Sequence, residues 1–391
     1  MELSNRITQI NGGSSDGWAV FYKARRMIDA GVAVTELTIG EHDVRTHGDI
    51  LAAMDRSATG GHTGYAEVPG VADLRSKVAK RIADRTGTPT TAENILITPG
   101  GQAGLFAAHL AVCNAGDTAL FIDPYYATYP GTIRSVGANP APVSATPDNG
   151  FQPSKTALAA HATGATSLLI NTPNNPTGAV YNMDTLTGIA QVCQDNDLWL
   201  ISDEVYDTQV WEGTHVSPRS LPGMAERTLV VGSMSKSHAM TGSRIGWICA
   251  PAPIIEHLIN LATHTTYGVP GFVQDAAIFA LDQGPAFEDA VGAPFARRRA
   301  LTLQALQGQN VVRPVPVQGA MYAMLDIRAT GLTGEGFANA LLDATHIAVM
   351  PGESFGTAAA GHVRVAMTVD DDSYVAALNR LVEFAKTQVS Q

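Results

Sequence analysis

From about residue 90 onward, short runs of β-branched and other apolar residues alternate with longer stretches whose apolar positions recur at helical spacing. Residues 94–98, 118–123, 167–171, 198–203, 228–232 and 245–250 are short, apolar and bounded by Gly, Pro, Asn or Asp, which predicts buried strands. Residues 102–113, 126–136, 184–195 and 254–263 lie between them and read as helices. Alternation of this kind predicts a mostly parallel sheet covered by helices on both faces.

Beyond about residue 285 the rhythm changes. An arginine-rich helix over 287–306 precedes strands at 311–316 and 320–327, a helix at 335–344, strands near 347–350 and 362–367, and a closing helix at 372–387. That order is α+β and predicts a second, smaller domain. The chain's 391 residues exceed what one hydrophobic core ordinarily organises. The Gly- and Pro-rich spots at 98–101, 172–178 and 268–271 are short enough to be loops of a compact fold.

Composition changes this picture only by exclusion. A net charge of −11 argues against nucleic acid, whose binding needs a basic face. Cys113, Cys193 and Cys249 are far apart, so neither a disulfide framework nor a cysteine metal site is expected. Residues 1–9 lack the apolar core of a signal peptide, and no run of roughly 18 apolar residues suits a membrane span. A cytoplasmic protein that binds no membrane is the expectation.

The chemistry gathers at predicted strand ends. Gly232-Ser233-Met234-Ser235-Lys236-Ser237-His238, running on to Arg244-Ile245-Gly246-Trp247, follows one strand and places Lys236 in a loop at the carboxyl edge of the sheet. Open α/β sheets bind ligands at that edge. A desolvated lysine there has a lowered pKa and a neutral amine suited to a Schiff base. Read alone, a loop lysine is solvated surface; its company changes the reading. Asn174-Asn175-Pro176-Thr177-Gly178 and Ser202-Asp203-Glu204-Val205-Tyr206 follow two other strands. Thr98-Pro99-Gly100-Gly101-Gln102 joins a strand to a helix, and His362-Val363-Arg364 sits in a late strand.

In this order and spacing, from about residue 35 to the carboxyl terminus, these motifs resemble the class I/II aminotransferases, the fold-type I pyridoxal-phosphate enzymes. The resemblance implies a large α/β domain, residues 48–287, built on a mostly parallel seven-stranded sheet sandwiched by helices. A smaller domain would join residues 1–47 to 288–391. It also implies pyridoxal 5'-phosphate as cofactor and an amino acid and a 2-oxo acid as substrates.

The roles carry over position by position. Lys236 would hold the cofactor as a Schiff base and then move the substrate's proton. Asp203 would pair with the pyridine nitrogen, although an acidic residue here also suits a helix N-cap and Glu204 is the adjacent alternative. Asn175 and Tyr206 would hydrogen-bond the cofactor's 3'-oxygen. Tyr126 would stack on its ring, a role Tyr125 could share or replace. Gly100, Gly101 and Gln102, opening a helix, would cradle the phosphate together with Ser233 and Arg244. Tyr65, in Gly64-Tyr65-Ala66-Glu67-Val68-Pro69-Gly70, would reach the neighbouring subunit's phosphate, which implies a homodimer with shared sites. Arg364 would grip the substrate α-carboxylate, with Asn175 and the backbone of Gly40 beside it.

Two positions depart from the family pattern. His42 and Val44 stand where a proline and an aromatic residue are usual, so the shape of the amino-terminal flap does not carry over. Nor is a second arginine for a dicarboxylate side chain identifiable, because Arg297, Arg298 and Arg299 read as a solvated helix face. Several stretches, among them residues 199–206, 235–242 and 267–272, resemble arginine–pyruvate transaminases within the family. A cationic donor would need acidic or aromatic partners, for which Asp16, Trp18, Tyr22 and Glu41 are candidates, although Trp18 and Tyr22 at one-turn spacing also suit a core-facing stripe. Two other functions fit parts of the pattern. One is a carbon–sulfur β-lyase on the same fold. The other is an aminotransferase-like regulatory sensor, disfavoured because the segment before Gly40 is too short for a DNA-binding domain.

Overall fold

The computed structural model describes residues 1–13 and 17–389. Among the described residues twelve strands form two sheets. In chain order they are β1 (Thr35–Leu37), β2 (Ile95–Thr98), β3 (Thr118–Asp123), β4 (Asn139–Ser144), β5 (Ala165–Asn171) and β6 (Trp199–Asp203), then β7 (Thr228–Ser233), β8 (Gly246–Cys249), β9 (Arg313–Val315), β10 (Tyr322–Asp326), β11 (Ile347–Pro351) and β12 (His362–Ala366).

The seven-stranded sheet has the order β2-β8-β7-β6-β5-β3-β4. β8 runs antiparallel to both its neighbours and the remaining pairs are parallel, so the carboxyl ends of β2, β7, β6, β5 and β3 share one edge. β7 is buried at all six positions and β2 at all four, as expected of strands covered on both faces. The six predicted strands are all present. The seventh, β4, carries Pro140 and Pro142, and the sheet tolerates them because β4 is its outermost strand.

The five-stranded sheet has the order β1-β11-β12-β10-β9. β1 pairs in parallel with β11, with Thr35 opposite Ile347, so the amino-terminal segment is built into the carboxyl-terminal α+β region. Its core packs Leu37, Phe337, Leu341, Val349, Val365 and Tyr374 together.

The predicted helices appear within a few residues of expectation, as Gly101–Val112, Tyr129–Ser135, Met183–Asp195, Ala252–Thr263, Pro285–Ala305, Gly334–Thr345 and Asp371–Val389. Two expectations are corrected. Lys236 lies on a single helical turn, Met234–Ser237, and not in a loop, because Ser233 caps that turn by accepting from the Ser235 amide at 3.0 Å. Trp18 and Tyr22 do not form a core stripe: on helix Ala19–Asp29 the buried residues are Val20 and Ala24, while Tyr22 is exposed and Trp18 precedes the first turn. Among the described residues no helix is long and apolar enough to cross a membrane.

Candidate active site

The shared carboxyl edge of the large sheet opens into a cavity of about 490 Å³. Most of the predicted residues line it: Gly101, Gln102, Tyr126, Asn175, Asp203, Tyr206, Ser233, Lys236 and Arg244 from the large-sheet region, with Arg364 and Gly40 from the other. A larger hollow of about 1200 Å³ lies beside it, but Lys236, Asp203 and Arg364 line only the smaller one, so size does not locate the chemistry. Tyr125 faces that larger hollow with its ring edge-on to Phe121 at 5.0 Å, which leaves Tyr126 in the cavity.

Lys236 donates from Nζ to the carbonyl of Gly40, which lies 196 positions away in sequence. Burial pushes its ammonium down; Tyr322 and Glu41 oppose that shift, and the charges of Arg364 and Arg244 add to it. The Gly40 backbone can approach only because it carries no side chain: a Cβ there would sit 1.8 Å from the Tyr322 hydroxyl.

Asp203 ends β6 and is 4% exposed. Its Oδ2 accepts from the Tyr129 hydroxyl at 2.7 Å and its Oδ1 from the Val205 amide at 3.3 Å. Burial raises its pKa to about 6, against the pull of those two hydrogen bonds. No helix starts at Glu204, so Asp203 is not an N-cap. Glu204 turns away from the cavity and accepts from Ser202 Oγ at 2.8 Å and Ser217 Oγ at 2.7 Å, with His215 Nε2 at 3.2 Å. Of the two adjacent acids, only Asp203 lines the cavity.

Arg364 sits on β12, 1% exposed, between the rings of Tyr322 and Phe355, each centred 4.3 Å from its guanidinium carbon. Nη1 donates to Asn175 Oδ1 at 2.8 Å and Nη2 to the Thr38 carbonyl, while Nε has no hydrogen-bond partner. Among the described residues no carboxylate pairs with it. A buried guanidinium held by rings and carbonyls, with no counter-charge, is suited to receive an anion.

The opposite end of the cavity also suits an anion. Gly100 precedes helix Gly101–Val112 with φ +81°, and no side chain caps that helix, so its first amides are open to a ligand. A Cβ at Gly100 would lie 2.2 Å from Arg244 Nη2. Ser233 and Ser235 bond each other at 2.8 Å beside the same helix end, and Arg244 is steadied by the Thr241 carbonyl at 2.7 Å. Gln102 contributes its position and not its side chain, which bonds Thr132 at 2.8 Å and Thr128 at 3.0 Å.

Two cavity tyrosines escaped the sequence reading. Tyr129 holds Asp203, and Tyr322 places its hydroxyl 3.1 Å from that of Tyr206. No local motif marks either contact, because the partners are 74 and 116 positions apart. Tyr65 is 91% exposed, edge-on to Tyr267 at 5.1 Å, and does not line this chain's own cavity. Two expectations about charge are revised. Arg298 is only 3% exposed and binds Asp43 and Asp371, so the arginine cluster is not a solvated face. Among the donor-side candidates, Trp18 and Glu41 line the cavity, Tyr22 does not, and Asp16 lies outside the described residues.

The family described as aminotransferase class I and II matches residues 32–381. The chain belongs to that family. It is 38% identical to an arginine–pyruvate transaminase of Pseudomonas aeruginosa over the whole of both chains. It is 34% identical to an aspartate/prephenate aminotransferase of Thermus thermophilus over 97% of each. Among solved structures, a Thermus thermophilus aspartate aminotransferase mutant superposes with a TM-score of 0.91 at 32% identity, covering 99% of both chains. A Thermotoga maritima aspartate aminotransferase gives 0.92 at 28% identity, covering 98% of this chain and all of the other. The chain is thus a pyridoxal-phosphate-dependent aminotransferase of fold type I, acting on an amino acid and a 2-oxo acid.

Proposed function

We propose that this aminotransferase moves the α-amino group of a cationic amino acid, such as arginine, to pyruvate. The observation that carries the choice of donor is the charge inventory of the cavity. Its cations are Lys236, Arg244 and Arg364, and its exposed acid is Glu41, which Thr241 Oγ1 and Arg45 approach at 3.4 Å each. With Lys236, Arg244 and Arg364 given to the cofactor and the α-carboxylate, no further lysine or arginine among the described residues lines the cavity for a second substrate carboxylate. Glu41 and the Trp18 ring line the cavity, and an acid and an aromatic face suit a guanidinium or ammonium. The likeness to an arginine–pyruvate transaminase supports the same choice.

The residues fit pyridoxal phosphate at both ends. The uncapped helix start at Gly101 with Ser233, Ser235 and Arg244 suits a phosphate dianion, and the side-chain-free Gly100 leaves room for Arg244 beside it. When bound, the cofactor supplies a conjugated ring that takes up the electron pair left by the departing α-proton. Asp203 would hold a proton on the ring nitrogen, positioned by Tyr129. Tyr206 and Asn175 would donate to the 3'-oxygen, and Tyr126 would lie against the ring face. Lys236, its ammonium destabilised by burial, would take the proton from the substrate Cα and deliver it to the cofactor's C4'. Arg364, with Asn175 beside it, would fix the α-carboxylate and so turn the Cα–H bond, rather than the carboxylate or the side chain, toward Lys236.

We further propose a cytoplasmic homodimer in which Tyr65 serves the partner's phosphate site. The two sheets would mark two domains, residues 48–287 and residues 1–47 with 288–391. The donor assignment is tested by kcat/KM at fixed pyruvate for arginine, lysine, glutamine, alanine, phenylalanine and aspartate. Arginine or lysine should lead. A tenfold lead for aspartate or phenylalanine, about 1.4 kcal/mol of differential transition-state binding, overturns it.

A further inference from the structure

The segment over the cavity, residues 38–44, meets Lys236 and Arg364 through its backbone, and its Glu41 also lines the cavity. The Thr38 carbonyl accepts from Arg364, the Gly40 carbonyl accepts from Lys236, and the Ile39 carbonyl accepts from Thr368 Oγ1 at 3.1 Å. None of these contacts fixes the segment's far end. The Asp43 side chain does so through an ion pair. Asp43 is gripped by both terminal nitrogens of Arg298, Nη1 to Oδ1 at 3.0 Å and Nη2 to Oδ2 at 2.6 Å. Arg298 is itself held on its other sides, donating from Nη1 to the Met367 carbonyl at 3.0 Å and from Nε to Asp371 Oδ1 at 2.8 Å. Met367 directly follows β12, the strand that carries Arg364. The fork therefore ties the far end of the segment to the end of the strand bearing Arg364.

We propose that Asp43 and Arg298 form an ionic latch that positions the 38–44 segment over the substrate site, so that the Thr38 and Gly40 carbonyls meet Arg364 and Lys236 in one fixed arrangement. His42 supplies the hydrophobic half of the closure: it is 6% exposed, with its ring edge-on to Phe295 at 5.2 Å, on the same helix as Arg298. Burial and the charge of Lys236 lower the His42 pKa to about 4, so near neutral pH it packs as an uncharged ring. Burial alone would raise the Asp43 carboxyl, but the hydrogen bonds and charge of Arg298 outweigh it and hold the group ionised. Asp43 and Arg298 are thus positioning residues that act on substrate through the backbone between them and the cavity.

This inference rests on Arg364 as the α-carboxylate anchor. The experiment uses the full-length holoenzyme with Asp43→Asn, which removes the charge and one acceptor at a partly exposed position, and with Asp371→Asn, which loosens Arg298 from the side away from the segment. In Asp43→Asn, KM for the amino donor should rise about tenfold with kcat within about twofold. Amide hydrogen exchange over 38–44 should quicken by a similar factor, in cofactor-free protein as well, while the rest of the large sheet stays protected. Asp371→Asn, which loosens Arg298 while leaving the Asp43 fork in place, should move both readouts in the same direction by a clearly smaller factor. An unchanged exchange rate over 38–44 in Asp43→Asn overturns the latch, as does an equal KM rise in both variants. Arg364→Lys tests the anchor on its own: an unchanged donor KM there removes the reading of Arg364 while leaving the exchange result to judge the latch.

Discussion

Replacing Asp203 with Asn should make the cofactor-free protein more stable and the loaded enzyme nearly inactive. Asp203 is 4% exposed, with Tyr129 and the Val205 amide as its donors, and burial raises its pKa from 3.8 to about 6. The folded chain therefore keeps this proton to a higher pH than the unfolded chain does. Between those two values the native state binds more protons, so ionisation opposes folding and stability falls as pH rises through the window. A shift of roughly two units corresponds to about 3 kcal/mol, fully lost above the folded pKa and recovered below pH 4. An amide of the same shape has no charge to desolvate, and its one oxygen can still accept from Tyr129 while its NH2 gives up the longer 3.3 Å contact with the Val205 amide. Asp203→Asn should then exceed wild type by about 3 kcal/mol at pH 8 and by only about 1 kcal/mol at pH 4.5, read as the difference between denaturant-unfolding free energies at each pH. Other carboxylates titrate in both proteins and cancel in that difference. In the loaded enzyme the same change removes the counter-charge to the ring nitrogen, for a loss in kcat/KM of roughly 10³ or more. A pH-independent stability difference would refute the burial argument. Full activity in Asp203→Asn would refute the pairing with the ring.

The remaining predictions concern the cofactor and the assembly. Lys236→Ala should lose a factor of roughly 10²–10⁴ or more in turnover, with little change in the unfolding midpoint of the cofactor-free protein; borohydride treatment of wild type followed by peptide mapping should place the cofactor on Lys236. Gly100→Ala adds a Cβ at 2.2 Å from Arg244 Nη2 on a backbone with φ +81°, so pyridoxal phosphate affinity should fall about tenfold or more, and an affinity within twofold of wild type would show that Arg244 does not serve the phosphate. Mixing inactive Tyr65→Ala and Lys236→Ala proteins should restore part of the activity through hybrid sites, whereas a fully active monomer in sedimentation would rule out sharing.

What could be read from the chain without coordinates follows the range of the interaction. Strand ends carrying Lys236, Asp203 and Asn175 are local patterns, and the parallel sheet brings them together without further instruction. β4 could not be read as a strand because Pro140 and Pro142 argue against any strand with neighbours on both sides, and only its place at the sheet edge removes the objection. Tyr129 and Tyr322 were invisible for the opposite reason. Their surroundings are ordinary, and their meaning lies in partners that only the tertiary fold delivers.

Arg298 is the instructive failure, because periodicity alone contained the answer. Successive residues on an α-helix are about 100° apart, so three consecutive arginines span some 200° and cannot all share a solvated face. One of Arg297, Arg298 and Arg299 has to turn toward the protein when the helix packs on one side. On helix Pro285–Ala305 the buried positions Glu288, Gly292, Phe295, Arg298 and Thr302 step by three and four, which places Arg298 in the middle of the buried stripe. A guanidinium there must be paired, and Asp43 and Asp371, one from each end of the small sheet's region, supply the charge. Arg297 remains outside with Asp371, and Arg299 reaches sideways to Glu212 and the Val317 carbonyl. The same stripe carries Phe295 against His42, so the helix face that buries one arginine also seats the segment covering the cavity. The two departures at residues 42 and 44 have different fates for the same reason: His42 falls on that face and is buried as a neutral ring, whereas Val44 lies beyond it and is 61% exposed.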